Sequence, residues 1–98
     1  MKESEKKVLK GIKLLEKYFG ERWYNNIDTK YLEMDDPCKC VLGHLFGNFH
    51  DGVRKLGIDY REAYYCGFDG TDDIDLLVLQ KRWVKIIIAK KVDYIRNS

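Results

Sequence analysis

His50 and Arg54 stand four residues apart in the run Cys40–Gly57, a spacing that places both on one side of a helical turn. An imidazole and a guanidinium so placed can hold one anion between them, and the guanidinium fork suits phosphate. Asp51 and Lys55 have the same spacing and can satisfy each other, and a solvated helix face is the plainer reading of this polar side. Gly43 and Gly47 are also four apart. Glycine inside a helix costs about 1 kcal/mol relative to alanine. Two such positions imply either a neighbour packed against bare main chain or a shallow floor for a flat ligand. Trp23, Tyr24 and Tyr65 belong to a chain that is 13% aromatic, and such rings can stack a base. Trp23, Tyr24, Gly43, Gly47, His50, Arg54 and Tyr65 are therefore the candidate ligand-binding residues, although most aromatics must still form the core.

Support for catalysis is thin. The sequence has no phosphate-cradling glycine loop, no serine nucleophile motif and no histidine pair at i, i+4. Its serines are Ser4 and Ser98, both close to the ends. Cys38-Lys39-Cys40 has a C-x-C spacing, without the two-residue gap of zinc knuckles or thioredoxin motifs. Cys66, His44 and His50 complete a ligand set only if folding gathers them, and on a helix the two histidines project at different angles. We assign no catalytic residue, metal or cofactor. A cysteine-based metal or redox protein and a Cys–His nucleophile pair stay open as alternatives. Asp69, Asp72, Asp73 and Asp75 read as a loop and a helix start, since the glutamate of a calcium-binding EF-hand loop is absent.

Local patterning predicts the elements that carry these residues. Val8, Ile12, Leu15 and Phe19 make one helical stripe over about residues 4–19, with Ser4 as N-cap and Gly20 as terminator. A short helical turn is expected within Glu21–Ile27, followed by a loop that packs its aromatics inward. Leu42, Leu45, Phe46, Phe49, Val53 and Leu56 predict one continuous helix over Cys40–Leu56, closed by Gly57 with Ile58 behind it. Asp59 then caps a helix Tyr60–Cys66 that Gly67 ends. Asp72 or Asp73 starts a last helix reaching about Arg96, its stripe Leu77, Val84, Ile88 and Ile95 widened by Leu76, Leu79, Trp83, Ile86 and Ile87. That helix is expected to be the most buried. The sum is a mainly all-α fold, a small single domain over residues 1–98 with four to five helices and short loops.

The chain has 98 residues, 45% of them apolar and 35% charged, which suits one marginal core and not disorder. A net charge of +2 supplies no general basic field, so nucleic acid is not an expected partner. Lysines crowd the first segment and Lys81, Arg82, Lys85, Lys90, Lys91 and Arg96 the last helix. No apolar run approaches a bilayer span, so no membrane partner is expected. Three cysteines and the lack of a secretory leader predict reduced thiols in a cytosol.

The run CVLGHLFGNFHDGVRKLGI, then YYCGFDG and LLVLQKRWVKII, resembles a family of small, mostly uncharacterised bacteriophage proteins. The likeness covers Cys40–Trp83 and centres on the Cys-Val-Leu-Gly-x-Leu-Phe-Gly motif at Cys40–Gly47. It implies viral origin and a place in the cytosol of a host bacterium. Small phage proteins of this kind are often counter-defence factors. By that analogy the chain is expected to be a non-enzymatic binder that sequesters a nucleotide-like or other small anionic immune signal. A pocket between protomers of a homo-oligomer suits so short a chain. The alternative is a protein-interaction module that inhibits a host enzyme, favoured by an exposed aromatic patch in place of a lined pocket.

Overall fold

In a computed structural model, which describes residues 2–97, the chain folds as a single all-α domain. Ser98, named above among the serines, lies outside the described residues. Helix α1 spans Glu3–Phe19 and buries Val8, Ile12 and Leu15 at the predicted spacing. Lys2, not Ser4, is its N-cap, and Gly20 ends it at φ 87°. Two 3₁₀ turns follow, Trp23–Asn26 and Thr29–Tyr31. They fold Trp23, Tyr24 and Ile27 into the core, and Leu32 and Met34 follow them inward.

The predicted continuous helix over Cys40–Leu56 is wrong. The segment is a helical hairpin, α2 (Val41–Phe46) and α3 (Phe49–Leu56). Gly47 leaves the helix at φ 97°, and Asn48 begins the next one, its side chain accepting from the Asp51 N–H at 2.8 Å. The Phe49 N–H donates to the Pro37 carbonyl at 2.7 Å, which ties the break to the preceding loop. Asparagine is among the best N-caps, and a glycine beside it removes the steric cost of a positive φ. The apolar stripe survives because α3 folds back on α2. A Cβ added to Gly52 would lie 2.8 Å from the Leu42 Cβ.

The remaining boundaries follow their caps. Gly57 closes α3 in the left-handed region, with its N–H donating to the Arg54 carbonyl and that of Ile58 to Val53, the paired bonds of a Schellman cap. Asp59 and Glu62 form a capping box on α4 (Tyr60–Tyr65). Gly67 repeats the Schellman arrangement after it, with the Phe68 N–H donating to the Ala63 carbonyl at 2.9 Å. Asp72 caps α5 (Asp73–Arg96), and Asp75 reaches back to the Thr71 N–H, so these acids are occupied in starting a helix.

Helix α5 was expected to be the most buried, with Leu77, Val84, Ile88 and Ile95 at its centre. The structure buries a different face. Leu79, Trp83 and Ile87 point inward, while Leu77 is 52% and Ile88 46% exposed. Alpha-helix α1 buries five residues of 17 against three of 24 in α5. The reason is that α5 carries apolar residues almost all round, so periodicity cannot choose a face. Trp83 chooses it. Its indole lies stacked on Phe68 with centroids 5.7 Å apart and meets Trp23 edge-on, and its N–H donates to the Gly67 carbonyl at 2.7 Å.

Candidate functional site

The seven candidate residues do not converge. Trp23 and Tyr24 are core residues, edge-on to each other at 5.8 Å. Trp23 is enclosed and cannot stack a ligand without opening the core. Tyr24 touches a depression of about 330 Å³, but the three acids Glu16, Glu21 and Asp93 outweigh Lys90 in its lining and disfavour a phosphate. Gly43 is no open floor, since a Cβ there would sit 2.4 Å from the Cys38 carbonyl carbon and 2.7 Å from the Pro37 oxygen. The loop before α2 already covers that main chain. Gly47 faces open space but serves the break between α2 and α3.

His50 and Arg54 do share the wet side of α3. Each has found a protein partner. The His50 Nδ1 lies 3.0 Å from the Tyr60 hydroxyl, and its ring meets Phe49 edge-on. Arg54 is ion-paired with Asp51, the acid that the spacing also offered to Lys55. That pairing cancels much of the charge an anion would seek. Tyr65 is exposed on α4, its ring edge-on to Tyr64 and 5.9 Å from the Arg61 guanidinium.

The cysteines also stand apart. Cys40 caps α2, its sulfur accepting from the Gly43 N–H at 3.3 Å and facing the Pro37 carbonyl. Burial pushes the Cys40 thiol above its ordinary value of 9.0, with the Asp36 charge adding to the rise against hydrogen bonds from nearby amides. Burial likewise raises Cys66, reinforced by Glu62 and opposed by Lys10. Raised thiols are poor nucleophiles and poor metal ligands at neutral pH. Among the described residues no three His, Cys, Asp or Glu side chains gather as a metal set. His44 spends its Nδ1 on the Cys40 carbonyl at 3.1 Å. Iodoacetamide on the native protein should therefore modify exposed Cys38 first and Cys66 at least ~10-fold more slowly, sparing Cys40 until unfolding. Peptide mass mapping reads the order, and native labelling of Cys40 at the rate of Cys38 would contradict its capping role.

One surface feature is an apolar groove that the sequence did not single out. A groove of about 430 Å³ runs between α1 and α5, floored by Leu9, Ile12, Ile86 and Ala89 and rimmed by Lys13, Glu16, Lys90 and Asp93. It continues past Glu5, Arg82 and Lys85 through a stretch of about 270 Å³ that shares Leu9, Ile86 and Ala89. The Glu5–Arg82 ion pair at 2.8 Å closes its far end. Gly11 was missed as well. It sits in mid-helix, the same signal that drew attention to Gly43, and a Cβ there would lie 2.2 Å from the Cys66 carbonyl oxygen. Lys7 is buried with its ammonium 3.6 Å from the centre of the Tyr64 ring, a contact no periodicity reveals.

Among the described residues no helix is long and apolar enough to cross a membrane. Comparison of the chain with protein-family models, with curated proteins and with solved structures returns no match.

Proposed function

We propose that this chain is a non-catalytic binding protein that acts by protein–protein contact, with the α1–α5 groove as its recognition surface. The groove is the observation that carries this reading. Its floor is apolar, its rims carry both signs of charge, and two packed helices form its walls. Such a surface accepts an amphipathic helix, with apolar side chains on the floor and charged ones at the rims. The likeness of Cys40–Trp83 to small phage proteins suits an inhibitor that docks on a host enzyme inside a bacterium.

Sequestration of a nucleotide-like anion is the competing reading. It needs a site built between subunits, since within one protomer Trp23 is enclosed, Gly43 is covered and Arg54 is paired with Asp51. Affinity purification of the tagged chain from bacterial cells separates the two. The contact reading expects a stoichiometric protein that is lost with Leu9→Glu and Ala89→Glu and kept with Tyr65→Ala. A nucleotide released on heating, lost with Arg54→Ala and indifferent to the groove variants, would overturn it.

A further inference from the structure

Helix α5 has 24 residues and so runs about 36 Å, the whole length of a molecule whose longest extent is 37 Å. Its inward face is Leu79, Trp83 and Ile87. The opposite side of the helix carries a second apolar row. Ile74 is 76% exposed, and Leu77, Ile88 and Val92 are also exposed, with Val84 half-buried between them. The steps from Ile74 to Leu77, Lys81, Val84 and Ile88 are three, four, three and four residues, the spacing of a two-helix seam. Only Val84 of this row packs against the core; the other apolar members face water, which is costly along so much of a helix.

We infer that the row is a self-pairing surface, on which a second copy of the chain lays its own α5 antiparallel about a two-fold axis. The residue pattern selects that occupant and that direction. Reversed against itself about its middle, the helix puts Leu77 opposite Val92 of the second copy, Lys81 opposite Ile88 and Val84 opposite Lys85. Each contact occurs twice, as a two-fold interface requires. No layer sets lysine against lysine. A parallel pair would stack Lys81 on Lys81 and one acidic helix start on the other.

Charge supports the same direction. The start of α5 is acidic at Asp72, Asp73 and Asp75, whereas Lys90, Lys91 and Arg96 lie toward its end. Antiparallel pairing sets Asp73 beside Arg96 of the second copy at each end. Both are exposed, and among the described residues neither makes an ion pair. The two helix dipoles also oppose favourably. A ridge about 36 Å long and about one helix diameter wide offers roughly 400 Å² of face per copy. That lies below the standard protein interface, so the pair is a weak, reversible dimer. Lys85 borders both surfaces, but the groove floor of Leu9, Ile12, Ile86 and Ala89 lies on a neighbouring side of α5, so a dimer leaves that floor open to another protein.

Sedimentation equilibrium of the full chain across a wide concentration range tests the pairing. A monomer–dimer equilibrium is expected. Ile88→Glu should weaken it at least ~10-fold, because the new carboxylate must lose its water in the seam. Far-UV circular dichroism should show that variant fully helical, since the position is exposed. Asp73→Arg should also weaken the dimer, and adding Arg96→Asp should restore it. Direction is read by oxidative cross-linking in a Cys38→Ser background. A Leu77→Cys chain mixed with a Val92→Cys chain should give the heterodimer, and Leu77→Cys alone should give little. A chain that stays monomeric at all concentrations would overturn the inference, as would a dimer indifferent to Ile88→Glu or one that cross-links Leu77→Cys to itself. None of these outcomes bears on the groove.

Discussion

Trp83→Ala is expected to remove a large part of the stability of the fold. The indole is wholly buried, and it is the point at which α5, the Gly67–Phe68 turn, α1 and the first 3₁₀ turn meet. Truncating a buried tryptophan costs about 3–5 kcal/mol in lost transfer energy and cavity. The Gly67 carbonyl, now 2.7 Å from the indole nitrogen, would also lose its donor, which adds roughly 1–3 kcal/mol. A domain of this size has about 5–15 kcal/mol in all. Urea denaturation followed by far-UV circular dichroism measures the loss. Two conservative variants separate ring size from hydrogen bonding. Trp83→Phe orphans the carbonyl and should cost more than Trp23→Phe, because the Trp23 Nε1 has no hydrogen-bond partner among the described residues. Equal costs for the two, or a loss below about 1 kcal/mol for Trp83→Ala, would remove Trp83 from its organising place.

Gly11→Ala should destabilise the fold by ~2 kcal/mol or more, although alanine is the better helix former by about 1 kcal/mol. The new methyl would meet the Cys66 carbonyl oxygen at 2.2 Å and the Trp83 ring at 3.1 Å. The first obstacle is backbone at the end of α4, which cannot swing aside as a flexible side chain can. Relief requires α1 to move off the α4–α5 turn and so to loosen the Trp83 contacts. Gly43→Ala should behave alike, because the obstacle there is the Cys38 carbonyl group. Gly47→Ala is the informative contrast. Nothing crowds that position, but its φ of 97° disfavours any side chain, so alanine should cost about 1–2 kcal/mol. In an unbroken Cys40–Leu56 helix the same change would gain about 1 kcal/mol. The sign of the change in thermal midpoint therefore reports directly on the α2–α3 break.

The legible parts of this protein were those decided within a few residues. Asp59, Asp72, Gly20, Gly57 and Gly67 mark boundaries because a cap is a hydrogen bond between near neighbours, and the residue types that make it are few. The inward row Val8, Ile12 and Leu15 of α1 was equally plain, since most lysines lie off it, but Phe19, expected in the same stripe, is exposed and Lys7 is buried. Of the candidate site, only the pairing of His50 and Arg54 on one helix side came from such local geometry, and even there Asp51 and Tyr60 claimed the two groups.

What remained hidden was a matter of competition between distant groups. An apolar stripe is the same whether a helix continues or folds back on itself, so the turn at Gly47-Asn48 depends on Pro37 receiving the Phe49 N–H and on Leu42 meeting Gly52. Helix α5 offered two apolar faces, and one domain of 98 residues can enclose only one. Residue types and spacing alone determined that there would be helices, roughly where they begin and end, and that they would be amphipathic. Only three-dimensional packing decided which rings went inside, which glycines were covered and which row of α5 was left facing water. Burial energy depends on what lies across the gap, and the chain's local order does not record that.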